Sequence, residues 1–221
     1  YGMFAFAEAF NQPIGSWNTS NVVDMGSMFV GASSFDQNLN SWDTSNVNNM
    51  TCMFEDAISF NQPIGDWNLE NIQHMKAMFC GAKSFNQPIH RWNVSRVENL
   101  NELFKEASSF NQPLNNWNVC KVTSMRETFM SASSFNQELG AWDTSKVTNM
   151  KRMFYKASSF NQSLVAWEVN KVNNNDEMFK SANQLNEAFK GKFLNKFGNS
   201  SIKQNQDITS SGSNISSSRD T

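Results

Sequence analysis

Two histidines, three cysteines and twenty carboxylates are among the side chains of this 221-residue sequence able to move protons, attack carbonyls or hold metals. Their spacing does not assemble such chemistry. His74 and His90 are isolated from one another, and Cys52, Cys80 and Cys120 match no zinc-ligand spacing. No nucleophile elbow or phosphate-binding loop is present. The sequence therefore predicts no catalytic, cofactor or metal site and points away from an enzyme. An odd cysteine count argues against a full disulfide framework, leaves one bridge open, and fits small half-buried thiols.

The elements behind these residues explain why they never converge. Phenylalanine recurs at Phe10, Phe35, Phe60, Phe85, Phe110, Phe135 and Phe160, and again from Phe4 and Phe29 through Phe179. All seven tryptophans fall in one series, Trp17, Trp42, Trp67, Trp92, Trp117, Trp142 and Trp167. A fixed 25-residue period means that like residues lie above one another along a stack, with the tryptophans as a structural ladder. His74, His90 and the cysteines occupy different positions within their repeats and so are not stacked on their own kind.

Within one repeat, Val22, Met25, Met28, Phe29 and Ala32 follow steps of three and four, which predicts a short helix. Ser20, Ser45, Ser95 and Ser145 are expected to cap it. The "FNQPIGSWNTS" stretch is too rich in Pro, Gly and Asn for a second helix and predicts a turn, then a short strand around Trp17 to Thr19. The expected fold is an α/β solenoid of about seven 25-residue repeats, each with one short parallel strand and one short helix. The series Asn11, Asp36, Asn61, Asn86, Asn111, Asn136 and Asn161 is expected to bond turn backbone. A carbohydrate or calcium ladder is the alternative, weakened because Asp36 carries the one charge in it.

The stretch "FNQELGAWDTSKVTNMKRMFYKASSFNQ", 135 to 162, and its relative from Phe60, "FNQPIGDWNLENIQHMKAMFCGAKSFNQ", resemble the BspA-like repeat of bacterial surface proteins, a variant leucine-rich repeat. The resemblance spans residues 3 to 182. It implies a right-handed leucine-rich-repeat-like stack, and an extracellular or cell-surface, non-enzymatic protein serving adhesion or protein binding. Leu100, Leu103, Thr128 and Asn175 depart from the methionines of the pattern.

Three segments are expected: a repeat region, 1–182; an amphipathic helix, 183–197, with Leu185, Phe189, Phe193 and Phe197 on one face, capping the last layer or meeting a membrane surface or partner; and a disordered Ser- and Asn-rich tail, 198–221. No apolar run reaches membrane-spanning length. The first 75 residues hold eight acids and no Lys or Arg, a net charge of −8, whereas the rest holds eighteen bases against twelve acids, net +6. Along a stack this is a lengthwise dipole, and it suggests steering toward a basic partner or end-to-end self-association. The overall charge of −2 and the periodic, inward aromatics argue against nucleic acid. The sequons at Asn18, Asn49, Asn93, Asn161, Asn199 and Asn214 fit a secreted protein. Asp66, Arg91 and Asn116, each just before a tryptophan, vary between repeats and are the candidate partner-binding residues. A protein or host-surface ligand is the expected partner; a lectin-like carbohydrate module and a component of a particle or surface assembly are the alternatives.

Overall fold

A computed structural model describes residues 1–197 of the chain; the tail expected at 198–221 lies outside them, as do Asn199 and Asn214. The expected α/β solenoid is not what the chain forms. Among the described residues the α-helix α1, Glu187–Leu194, and a 3-10 turn, Asn195–Phe197, stand alone. Backbone pairing is confined to isolated parallel bridges, such as Asp24 with Asn49 and Asn49 with His74. No repeat contains a strand or a helix, so the right-handed leucine-rich-repeat-like stack of strand and helix units is overturned.

The backbone shows why. In the segment read as a helix, every repeat has two left-handed residues four apart: Ser27 and Gly31 (φ 55° and 66°), Cys52 and Asp56 (both 55°), Glu127 and Ser131 (57° and 58°). Such a residue ends an α-helix. Amides then divide between two partners. Those of Met28 and Ala32 close turns onto Met25 and Phe29 carbonyls at 3.3 and 3.0 Å, while those of Met25, Ser27, Phe29 and Gly31 donate to Asn49, Thr51, Met53 and Glu55, one repeat on, at 2.7 to 2.9 Å. Pairing every second residue with the next repeat is the habit of a parallel ladder, bent here into tandem turns. The spacing of three and four identified the inward residues correctly, since Met25, Phe29 and Ala32 are buried, but turns rather than a helix deliver them.

The predicted strand is absent too: residues 17–19 and their equivalents lie between two turns and form no backbone ladder. Thr19, Thr44 and Thr144 point inward, and their hydroxyls donate to the Asp43, Asn68 and Glu168 carbonyls at 3.0, 2.9 and 2.7 Å. Ser20, Ser45, Ser95 and Ser145 cap no helix. Their amides donate instead to side-chain oxygens of Asn18, Asp43, Asn93 and Asp143 at 3.0 to 3.1 Å, closing Asx turns.

Three aromatic ladders fill the core. Phe54, Phe79, Phe104 and Phe129 stack at 5.7 Å between ring centroids, and Phe60, Phe85 and Phe110 at 6.0 and 5.9 Å. Within a repeat the two series meet face to face, Phe79 on Phe85 at 4.1 Å. The tryptophan ladder adds direction: the indole N–H of Trp42, Trp67, Trp92, Trp117, Trp142 and Trp167 donates to the carbonyl of Ile14, Leu39, Ile64, Ile89, Leu114 and Leu139, at 2.8 to 3.1 Å. These six are buried, whereas Trp17 is 42% exposed.

The asparagine series forms a fourth ladder. Asn61 Oδ1 accepts the Asn86 amide, Asn86 that of Asn111, and Asn111 that of Asn136, each at 2.9 Å. Gln87, Gln112 and Gln137 Nε2 reach the same asparagine oxygens at 3.0 to 3.1 Å. The recurring "FNQ" is thus one stacked ring and two hydrogen-bonded polar rungs. Asp36 continues the ladder by accepting from Asn61 at 2.9 Å.

The departures from the methionine pattern differ in consequence. Thr128 is fully buried, with its hydroxyl within 3.0 Å of the Leu100 carbonyl and 2.8 Å of that of Met125. Asn175 is buried too, but its Nδ2 has no partner. Asn175→Met should therefore stabilise the protein, by about 1–3 kcal/mol from relief of an unsatisfied amide, read as a raised midpoint of urea unfolding.

The repeat pattern persists past the expected boundary at residue 182. Leu185 takes the place of Phe160, and Asn186 that of Asn161, whose Oδ1 accepts its amide at 2.8 Å. Asn186 Oδ1 then accepts the Ala188 amide at 2.8 Å and caps α1, so the last rung of the ladder is a helix cap. Phe193 stands edge-on to Trp167 and Phe179 at 6.1 and 5.7 Å and covers the final layer. Phe189 and Phe197 are only half-buried.

Candidate interaction surface

Between the glutamine and tryptophan series the chain turns outward. Ile14, Leu39, Ile64, Ile89, Leu114, Leu139 and Leu164 are buried, and the two residues after each lie at the surface. Gly15 and Gly65 sit against the next repeat: a Cβ there would lie 2.5 Å from the Asn38 carbonyl oxygen and 2.4 Å from that of Pro88. The close approach accounts for the glycine of "QPIG". Just beyond it Ser16, Ser41, Asp66, Arg91, Asn116, Ala141 and Ala166 form one exposed row, with five residue types over seven steps.

The structure brings Asp66 and Arg91 together and places Asn116 next along the row. Arg91 Nη1 lies 3.8 Å from Asp66 Oδ1, with both side chains at least 70% exposed, a pair that contributes little to stability. Asn40 Nδ2 lies 3.5 Å from Asp66 Oδ2. Pro63, Gly65, Pro88 and His90 complete an open groove around the pair. His74 lies in the ladder of bridges instead, so the two histidines do not meet.

A second charged face went unnoticed in the sequence. Glu102 Oε1 receives Arg126 Nη2 at 2.6 Å, while Glu127, nearly buried, receives Lys105 Nζ at 2.9 Å and Arg126 Nη1 at 3.1 Å. Arg152 and Lys180 flank Glu177 at 2.6 and 2.8 Å. The period could have revealed these pairs, because opposite charges sit at adjoining positions of consecutive repeats. Burial pushes the Glu102 carboxyl up, but its hydrogen bond and charge pairing with Arg126, helped by Lys76 and Lys105, hold it below the ordinary carboxylate range. Glu177 is held low by Lys180 and Arg152. A lowered carboxylate contributes stability above its unfolded pKa of about 4.3 that is lost as pH falls through the folded value. Stability should accordingly drop on acidification below about pH 4.3, and Glu102→Gln should flatten that drop in urea titrations run from pH 6 to 3.

The cysteines are free and half-buried. Burial first, then Glu55, pushes the Cys52 and Cys80 thiols up to about 12, which makes them poor nucleophiles. Among the described residues no group of His, Cys, Asp or Glu is placed to hold a metal ion, and no helix is long and apolar enough to cross a membrane.

Residues 1–92 and again 82–193 match the family described as Mycoplasma protein of unknown function, DUF285. The chain belongs to this family. Two overlapping matches, each longer than three 25-residue units, make this DUF285 member a repeat protein in sequence as it is in structure. No curated protein and no solved structure matches it.

Proposed function

We propose that the chain is a non-enzymatic interaction module that acts at a cell surface, in adhesion or protein binding, through the extended faces of its repeat stack. The observation that carries this reading is the division of labour within each repeat. Side chains shared by all repeats are buried or bonded to the next repeat, whereas the row from Ser16 to Ala166 is exposed and passes through serine, aspartate, arginine, asparagine and alanine. A regular scaffold that displays one variable residue per step provides an extended docking surface. The resemblance to BspA-like surface repeats supports the same location and role.

Beads coated with the protein should adhere to host cells, and antibodies to the stack should label unpermeabilised cells of the source organism. The double reversal Asp66→Arg with Arg91→Asp should reduce bead adhesion while unfolding stays within about 0.5 kcal/mol of the parent, as expected for exposed positions. Labelling only after permeabilisation, or adhesion indifferent to the whole variable row, would contradict the proposal.

A further inference from the structure

Four cations occupy one position in four consecutive repeats: Arg96, Lys121, Lys146 and Lys171, all exposed. The first three repeats hold Asn21, Asn46 and Asn71 there. Two of these asparagines have a structural task, since Asn46 Nδ2 donates to the Ser20 carbonyl at 2.7 Å and Asn71 Nδ2 to that of Ser45 at 2.8 Å. The lysines give up that bond.

The row is held in register by backbone beside it. Two positions along, the Thr123, Thr148 and Asn173 amides donate to Glu98, Thr123 and Thr148 carbonyls, each one repeat back, at 2.8 to 2.9 Å. Parallel pairing of this kind sets a step of about 4.8 Å, so the four cations span about 14 Å.

Among the described residues none of the four joins an ion pair, although the charged face at Glu102, Glu127 and Glu177 is paired throughout. Arg96 Nη1 donates to Asn71 Oδ1 at 2.8 Å, a neutral acceptor. The nearest acids in sequence are Glu98 to Arg96, Glu127 to Lys121, Asp143 to Lys146 and Glu168 to Lys171; Glu127 is held by Lys105 and Arg126. Asp143 is engaged by Ser145, whose amide it accepts at 3.0 Å, more than by Lys146.

We propose that Arg96, Lys121, Lys146 and Lys171 form a binding edge for a linear acidic polysaccharide whose sulfate or carboxylate groups lie along the row. Like charges at this spacing favour a ligand that brings a row of anions and releases counterions. Around the row stand hydroxyl and amide side chains, Ser95, Ser145, Thr123, Thr148 and Asn173, rather than the exposed aromatics on which a single-stranded nucleic acid stacks. A second copy is a poor match, because the acids of the first 75 residues, such as Asp24, Asp43, Glu55 and Asp66, occupy different repeat positions and form no row. The inference rests on the chain being an interaction module but uses a different edge from Asp66 and Arg91, so either can fail alone.

The test is chromatography of the full chain on immobilised heparin, together with titrations that give the slope of log affinity against log salt. The variant Lys121→Asn, Lys146→Asn, Lys171→Asn installs the residue of the first three repeats, and Lys83→Asn, Lys156→Asn, Lys192→Asn removes equal charge elsewhere. The first should elute at lower salt and lose about two to three from the magnitude of the slope, while the second stays near the parent. Asn46→Lys with Asn71→Lys should lengthen the row and delay elution, which decides the matter even if the triple row variant fails to fold. Equal losses from both triple variants, no retention of the parent at low salt, or tighter binding of single-stranded DNA than of heparin would overturn the proposal.

Discussion

Phe79→Ala is expected to destabilise the protein by about 3–5 kcal/mol, as for a fully buried aromatic whose cavity cannot collapse. Phe79 touches four rings: Phe54 and Phe104 above and below at 5.7 Å, Phe85 in its own repeat at 4.1 Å, and Trp92 at 6.1 Å. Neighbouring repeats are fixed by backbone bonds, such as Phe79 to Leu103 at 3.0 Å, and cannot slide inward to fill the space. Urea unfolding followed by tryptophan fluorescence measures the loss. A change below about 1 kcal/mol would mean that the ladder is not the main source of cohesion, against the usual cost of such a deletion.

The second large effect concerns register. Deletion of residues 86–110 removes one full repeat and joins Phe85 to Asn111, which restores "FNQ" and lets every ladder close one step shorter. The shortened protein should fold and unfold cooperatively with a lowered midpoint, because stability in a stack is nearly a sum of repeat and interface contributions. Deletion of 86–97 joins Phe85 to Glu98 and puts Leu100, Phe104 and every later residue out of phase with the layers below. That variant should lose its cooperative transition, as circular dichroism melting would show.

The repeat, its length and its inward residues were legible because side-chain burial in a stack depends on the period alone. The phenylalanine and tryptophan ladders and the backbone role of the asparagines follow from it directly. Local backbone was not legible. Steps of three and four from Val22 to Ala32 suit a helix and tandem turns equally, and what separates them is the left-handed state of residues such as Cys52, Glu127 and Lys156. None of these types advertises that state, which inter-repeat hydrogen bonds impose against local preference. The Thr19 series misled similarly, since a β-branched residue can serve a strand or, as here, point inward between turns, Val94, Val119 and Val169 by burial alone and the threonines with a hydroxyl on the next repeat's carbonyl. Of the candidate surface, the sequence marked the variable row through Asp66 and Arg91 but not their contact with one another. It missed the Glu102 and Glu127 network because, Arg126 with Glu127 aside, its pairs lie 22 to 26 residues apart and at unlike positions of their repeats, where a comparison of like positions does not show them.

In the middle of each repeat, every second backbone amide binds the following repeat rather than its own. Trans-hydrogen-bond N–C′ couplings measured by NMR identify each acceptor directly. The expected correlations run from Leu100 to Ser124, Glu102 to Arg126, Phe104 to Thr128 and Glu106 to Met130. Couplings from these amides to carbonyls four residues earlier would instead establish a helix and rule out the pairing between repeats.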